Sequence, residues 1–294
     1  MSDTVFTVRV DERLARSAAE RLTVPLEDIG AAFALFEVDE ARGVWELSVY
    51  ATDDTLAAVE REIARAVPDI ALEKRTLPET DWVAHSLKGL KPVLAGGFMV
   101  HGSHDRDAVR TGWDAIEIDA GQAFGTGHHG TTAGCLIALD EVLKRTRPRR
   151  ALDVGTGSGV LAIGLAMRTK RPVVATDIDP VAVRVARENA RRNEVGPLVR
   201  AVAADGLHHP TVRRHGPYDL VVANILAGPL RALAPSIAQA CAPDAHVILS
   251  GLLERQGRQV LAAYRLEGFR LERSLVLDGW ATLTLCRSGA ARHA

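Results

Sequence analysis

Over the first 75 residues the spacing of apolar positions switches between two and three-to-four. Val5 to Val10 alternates as a half-buried strand does, Glu12 to Leu22 carries helical spacing, and Ala31 to Val38 and Val44 to Ala51 read as strands around an Arg42-Gly43 turn. Thr55 to Val67 is an amphipathic helix with Thr55 as its expected N-cap, and Ile70 to Thr76 is a closing strand. The order βαββαβ predicts a small ferredoxin-like α+β domain over residues 1–76. Pro78, Pro92 and Gly96-Gly97 mark 77–97 as a linker containing a short amphipathic piece from Trp82 to Leu90.

Residues 98–294 follow a different pattern, the regular alternation of an α/β domain. A strand from Ala115 to Asp119 leads into a glycine-rich loop, and Thr131 and Thr132 open a helix reaching about Lys144. Strands then end near Val154, Asp177, Ala203, Asn224 and Ser250, with helices at Val160 to Arg168, Val181 to Arg192, Leu230 to Cys241 and Leu253 to Leu266. The chain closes with Phe269 to Val276, an Asp278-Gly279 turn and Trp280 to Cys286; Asp-Gly between apolar runs is a strong hairpin signal. A parallel sheet with a terminal antiparallel hairpin predicts the seven-stranded class I methyltransferase (Rossmann-like) domain, and not a six-stranded dehydrogenase domain.

Two glycine segments compete for a nucleotide. Gly125-Thr126-Gly127-His128-His129-Gly130 has the G-x-G-x-x-G spelling, but that pattern alone is weak and needs a strand before it, a helix after it and an acidic residue about 20 positions on. Gly155-Thr156-Gly157-Ser158-Gly159 is misspelled for that motif, with Val160 in the last position. It nevertheless follows the apolar run Ala151 to Val154, opens a helix, and is followed 22 residues after Gly155 by Asp177, at the tip of the next strand. An acid there is placed to take the two hydroxyls of a ribose, while the glycines let the backbone approach the ligand. Asp153, just before the turn, disfavours a pyrophosphate and suits a ligand bearing a sulfonium and an ammonium, which points to S-adenosylmethionine rather than NAD.

Further along the carboxyl ends of the strands, Ile178 is placed to pack against the adenine ring. Asp205 either accepts from the adenine amino group or caps its own loop. Asn224 ends the buried run Tyr218 to Ala223, and an amide there accepts a hydrogen bond from an amine and aims its lone pair at a methyl carbon. Because Ile225-Leu226 follows, with no aromatic side chain to stack on a flat base, an aliphatic amine suits the site better.

Composition narrows the class without naming a substrate. The chain is 47% hydrophobic and 25% charged with a net charge of −1, and has no apolar run approaching the ~18 residues of a membrane span. With no signal-peptide pattern, and with Cys135, Cys241 and Cys286 in neither a disulfide count nor a zinc spacing, a cytoplasmic protein without a metal site is expected. Residues 1–75 hold 16 acids against 9 bases, the rest 21 against 27. The acidic small domain either attracts a basic partner or is a solvated surface. The clusters Lys144-Arg145, Arg147, Arg149-Arg150 and Arg191-Arg192 likewise suggest RNA or solvated helix faces.

Taken together, Ala123-Phe124-Gly125-Thr126-Gly127, His129, Thr131-Thr132, the Asp153 to Ile163 segment, Asp177-Ile178-Asp179-Pro180 and the run Val222 to Leu230 strongly resemble the ribosomal protein L-eleven methyltransferase (PrmA) family. Asp81-Trp82 and Lys91-Pro92 extend the resemblance into the linker. It implies S-adenosylmethionine-dependent trimethylation of lysine side chains and of the N-terminal amine of that ribosomal protein, free or on the ribosome. It also implies substrate recognition by the N-terminal domain, cofactor contacts at Thr132, Gly155, Asp177 and Asn224, and a lid loop through Phe124, Gly125, Thr126 and Gly127 over the methionine end. With Gly157, Ile178 and Asp205 these complete the expected cofactor set. A monomer with no membrane and no sequence-specific nucleic-acid contact is expected; the rival is a methyltransferase acting on RNA or a small amine. The family commonly reads Gly-Thr-His-Pro-Thr-Thr where this chain has Gly127-His128-His129-Gly130-Thr131-Thr132, so the loop is expected to be more flexible here.

Overall fold

The computed structural model describes residues 3–39, 42–77, 92–118 and 130–287. The chain divides into two compact units, Met1–Trp82 and Val83–Ala294. In the first, β1 (Asp3–Asp11), α1 (Glu12–Asp28), β2 (Ala32–Asp39), β3 (Val44–Ala51), α2 (Leu56–Ala66) and β4 (Glu73–Leu77) follow the predicted order. The sheet is antiparallel with strand order β2-β3-β1-β4, the ferredoxin-like arrangement. Alternation puts Phe6, Leu47 and Val49 on one face, packed with Leu22, Leu26, Val59 and Ile63 of the helices. α1 runs past its predicted end at Leu22 and through Pro25, because fully buried Leu22 and Leu26 continue the apolar stripe one turn further. Burying such a leucine is worth about 1.5–3 kcal/mol, enough to offset much of the cost of an internal proline. Thr55 does not cap α2: its hydroxyl accepts from the Thr52 amide at 3.0 Å instead.

The first described strands of the second unit form a small sheet of which the sequence pattern shows only the last, the predicted strand at Ala115. β5 (Val93–Ala95) pairs antiparallel with β6 (Phe98–His101) across Gly96-Gly97, and β7 (Asp114–Glu117) pairs parallel with β6. The end of the expected linker is therefore a strand, too short to show periodicity between Pro92 and its glycine turn. Arg168 ties this sheet to the rest. Its guanidinium bonds Asp114 at 2.6 Å and Asp140 at 2.7 Å and lies 4.0 Å from the centre of the Phe98 ring.

The main body continues with α3 (Gly130–Arg145), β8 (Ala151–Val154), α4 (Val160–Thr169), β9 (Val173–Asp177), α5 (Pro180–Arg192), β10 (Val199–Ala203), α6 (Pro210–His215), β11 (Tyr218–Asn224), α7 (Ala227–Ala240), β12 (Cys241–Leu253), α8 (Gly257–Leu266), β13 (Phe269–Leu277) and β14 (Trp280–Arg287). These strands form a seven-stranded sheet of order β10-β9-β8-β11-β12-β14-β13. It is parallel through β12, and β14 lies antiparallel between β12 and β13. Asp278 and Gly279 turn the terminal hairpin with φ of 51° and 80°, as their residue types predict. An apolar cluster on each face buries the central strands, which explains their unbroken hydrophobic runs. Strand order reverses between β8 and β11, and the crevice outside their carboxyl ends is where ligands bind in such sheets. Among the described residues no helix is long and apolar enough to cross a membrane.

Candidate active site

The turn after β8 is built almost entirely from backbone. The amides of Gly155 and Thr156 both donate to the Thr176 carbonyl, at 2.8 and 2.9 Å, which locks the turn against the end of β9. Gly155 has a φ of +70°, and an added Cβ there would overlap the Ile225 side chain. No other residue type meets both conditions without moving Ile225. One oxygen of Asp177 accepts from the Gly157 amide at 2.8 Å and the other from the Asp179 amide at 3.0 Å, so the acid is held in place at the mouth of the turn. Asp179 then caps α5, accepting from Val181 at 2.7 Å, with Pro180 in the first helical position. Beside Asp177, the apolar side chain of Ile178 is 74% exposed.

Asp153 departs from its expected role. Its side chain is buried, and Oδ2 accepts from the Thr156 hydroxyl at 2.6 Å and the Ala162 amide at 3.1 Å. Burial pushes its pKa up to about 7 against the opposing pull of those two hydrogen bonds. The carboxyl group thus staples the turn to the first turn of α4 and is not a fixed negative charge facing a ligand. Asn189 of α5, which sequence reasoning did not single out, donates to the Ser158 carbonyl at 2.9 Å from a buried position. A lone Asn in an Arg-rich helix carries no signal in sequence; only the packing of α5 against the turn reveals it.

On the neighbouring strand β11, the second half of the site comes together from distant segments. Asn224 ends β11, and its Nδ2 lies 3.5 Å from the Thr131 hydroxyl and 3.4 Å from that of Thr132, at the start of α3. Both threonines are buried while Asn224 is half-buried. With the amide nitrogen turned toward the hydroxyls, Oδ1 remains as an acceptor. Asp205 stands exposed in the bend after β10, where its carbonyl accepts from His208 at 3.1 Å. Phe124, Gly125, Thr126, Gly127, His128 and His129 lie outside the described residues.

Gly130 opens α3 against the terminal hairpin. A Cβ there would meet the Leu277 carbonyl oxygen at 2.7 Å, so this position has no room for the proline common at it in the resembled family. The loop expected to be flexible lies outside the described residues up to His129; at Gly130 the start of α3 is packed against the hairpin.

The chain matches the family model described as ribosomal protein L11 methyltransferase (PrmA) over residues 10–288. It is 48% identical over 291 residues to a protein of that name from Rhizobium rhizogenes, covering 98% of this chain and all of that one. A Brucella suis protein of the same name is 50% identical over 274 residues, covering 92% of this chain and 96% of that one. Among solved structures, the ribosomal protein L11 methylase from Lactobacillus delbrueckii subsp. bulgaricus superposes with a TM-score of 0.58 at 29% identity, covering 65% of this chain and 95% of that one.

Proposed function

The chain belongs to the ribosomal protein L11 methyltransferase family, and from that premise we propose that it transfers methyl groups from S-adenosylmethionine to lysine side chains and the N-terminal amine of ribosomal protein L11, giving trimethylated amines. The observation that carries the chemical part of this reading is Asn224, held by Thr131 and Thr132 at the same sheet edge as the Gly155 turn and Asp177.

The residues present fit the cofactor. Positive-φ glycines leave room for close approach, Asp177 offers a fixed carboxylate for two ribose hydroxyls, and exposed Ile178 offers an apolar platform for adenine. Gly155, Gly157, Asp177, Ile178 and Asp205 hold the nucleoside end in this proposal; Thr132, Asn224 and the loop of Phe124, Gly125, Thr126 and Gly127 serve the methionine end. Bound there, S-adenosylmethionine supplies an electrophilic methyl group on a sulfonium.

The chain's own residues then position the amine. A lysine ammonium starts with a pKa of about 10.4, and a half-buried site lowers it, so water takes the proton without a dedicated base. In the first two transfers Asn224 Oδ1 accepts from an N–H of the neutral amine and turns its lone pair toward the methyl carbon; the dimethylated amine has no N–H and is oriented by the shape of the site. Positioning of this kind supplies several kcal/mol of catalysis. The 3.4 and 3.5 Å contacts that hold Asn224 are long, which suits an amine that must turn between successive transfers.

The proposal assigns residues 1–76 to substrate recognition, 77–97 to the connection and 98–294 to methyl transfer. Its acidic N-terminal unit complements a basic ribosomal protein. We place the enzyme in the cytoplasm as a monomer that makes no sequence-specific contact with nucleic acid. The test is to incubate the protein with labelled S-adenosylmethionine and unmethylated ribosomes or free ribosomal proteins, and to locate the label by mass spectrometry. Label on lysines and the N-terminus of L11 is expected; label on RNA alone would overturn the proposal in favour of an RNA methyltransferase.

A further inference from the structure

The edge of the main sheet carries a second cluster of chemically capable groups, on strands the reaction does not use. His246 of β12, Cys286 of β14 and Glu272 of β13 have their ligand atoms all within 4.8 Å of one another. Cys286 sits on the middle strand, directly paired with His246 on one side and Arg270 on the other. Glu272 is the additional residue of a β-bulge, since Leu271 pairs with Leu285 while Arg273 pairs with Thr284. Bulges re-aim side chains, and this one sends the Glu272 carboxylate toward His246, with Oε2 at 3.2 Å from Nε2.

The environment selects for a cation. Cys286 is buried, and the His246 and Glu272 side chains are each only 15% exposed. Glu272 Oε1 is taken by Arg270 at 3.0 Å, whereas Oε2, buried beside the imidazole and the thiol, accepts no hydrogen bond among the described residues. A buried carboxylate oxygen that accepts no hydrogen bond and faces only the His246 ring at 3.2 Å and Arg145 at 3.8 Å is costly, and a metal ion is one group that removes the cost. The nearby cations are Arg270 and Arg145, the latter 3.8 Å from Oε2 on a side chain that is 57% exposed and that also donates to the Glu141 carbonyl at 3.2 Å.

We propose that His246 Nε2, Glu272 Oε2 and the Cys286 thiolate form a zinc site that staples the last three strands of the sheet. One nitrogen, one oxygen and one sulfur suit this borderline-soft ion, with water as the fourth ligand. Binding forms three metal–protein bonds, and the Cys286 thiol gives its proton to solvent. Thiolate and carboxylate together cancel the ion's charge, so the arginines face a neutral centre. His246 lies opposite Leu220, four residues before the Asn224–Ser250 pair, which places the site about 13 Å from the reacting edge. Its role is therefore structural. The three ligands are separated by 26 and 14 positions in sequence and match no zinc spacing, so only the strand order and the bulge assemble them.

The experiment uses the untagged full-length protein, stripped with a chelator and titrated with Co2+ alone and then with Zn2+. One equivalent of Co2+ should produce a thiolate-to-cobalt charge-transfer band that Zn2+ abolishes. Zinc a hundredfold above its Kd should raise Tm by about 5 °C or more. Cys286→Ser should lose the band and the Tm response while retaining methyl transfer, and Glu272→Gln and His246→Gln, which keep side-chain shape, should weaken both readouts. If the band is absent in the native protein, or persists in Cys286→Ser, or if zinc fails to raise Tm, the proposal is overturned.

Discussion

The two sides of the candidate site are held by different kinds of bond. On the β8–β9 side, Gly155, Thr156, Gly157 and Asp179 are fixed through their amides at 2.8–3.0 Å, and buried side chains of Asp153 and Asn189 brace the turn from behind. On the β11 side, Asn224 meets Thr131 and Thr132 through side chains alone, at 3.4 and 3.5 Å. Short backbone bonds specify one geometry, whereas side-chain contacts at that length leave rotational freedom. In the proposed reaction this difference is functional: the cofactor presents the same shape at every turnover, but the amine changes as it gains methyl groups. A rigid cradle and an adjustable acceptor divide those tasks.

The sharpest way to break this comparison is to remove the anchor of each side separately. Asp177→Ala leaves the Gly157 and Asp179 amides without their acceptor and removes the carboxylate assigned to the ribose. Lost hydrogen bonds to a charged group are worth about 1.5–3 kcal/mol each, so calorimetry should show S-adenosylhomocysteine binding weakened about a hundredfold or more. Asn224→Ala should lower kcat by about a hundredfold, the scale of one lost positioning donor or acceptor, and leave cofactor Kd within a few-fold. Equal loss of cofactor affinity in both variants would mean that the two sides are not separate devices.

Smaller perturbations sharpen the same division. Gly130→Pro sets a Cβ against the Leu277 carbonyl, and overpacking of this kind costs about 1–3 kcal/mol. A Tm lowered by several degrees is expected, with activity reduced through Thr131 and Thr132; an unchanged Tm would show that the hairpin yields freely. Asp153→Asn tests the staple under the rigid side. Because burial raises its folded-state pKa to about 7 from the ordinary carboxylate value of 3.8, the stability Asp153 contributes is fully present below pH 3.8 and is lost as pH rises through 7. Asn keeps an acceptor for Thr156 and Ala162 and cannot ionise. The variant should therefore show a flatter Tm profile between pH 5 and 8, with its advantage over wild type at pH 8; parallel profiles would mean that Asp153 titrates normally.

Much of the fold was legible because it rests on local periodicity. Alternation in β1 and β3, the apolar runs of β8 and β11, and Asp278-Gly279 each report a neighbourhood of a few residues. Local signals failed where packing outweighed them. α1 crosses Pro25 because Leu26 is needed in the core, the three-residue strand β5 shows only its glycine turn, and the short helix α6 leaves no period to read. Within the candidate site, the strand-end positions of Gly155, Asp177 and Asn224 were visible because each ends or follows an apolar run. Asp153 was misread for a related reason: composition shows an acid beside the turn but not which way its carboxylate points.

By itself, then, the sequence determined the element order, the strand ends on which the site residues stand, and the family to which those residues belong. Such features depend on residue type and spacing along the chain. The tertiary structure alone decided that Thr131 and Thr132 meet an amide more than 90 positions away, that Asp153 faces inward, that Gly130 abuts the hairpin, and that His246, Glu272 and Cys286 share one face. Those meetings follow from strand order, from one bulge and from the direction of side chains in three dimensions, quantities that no linear spacing contains.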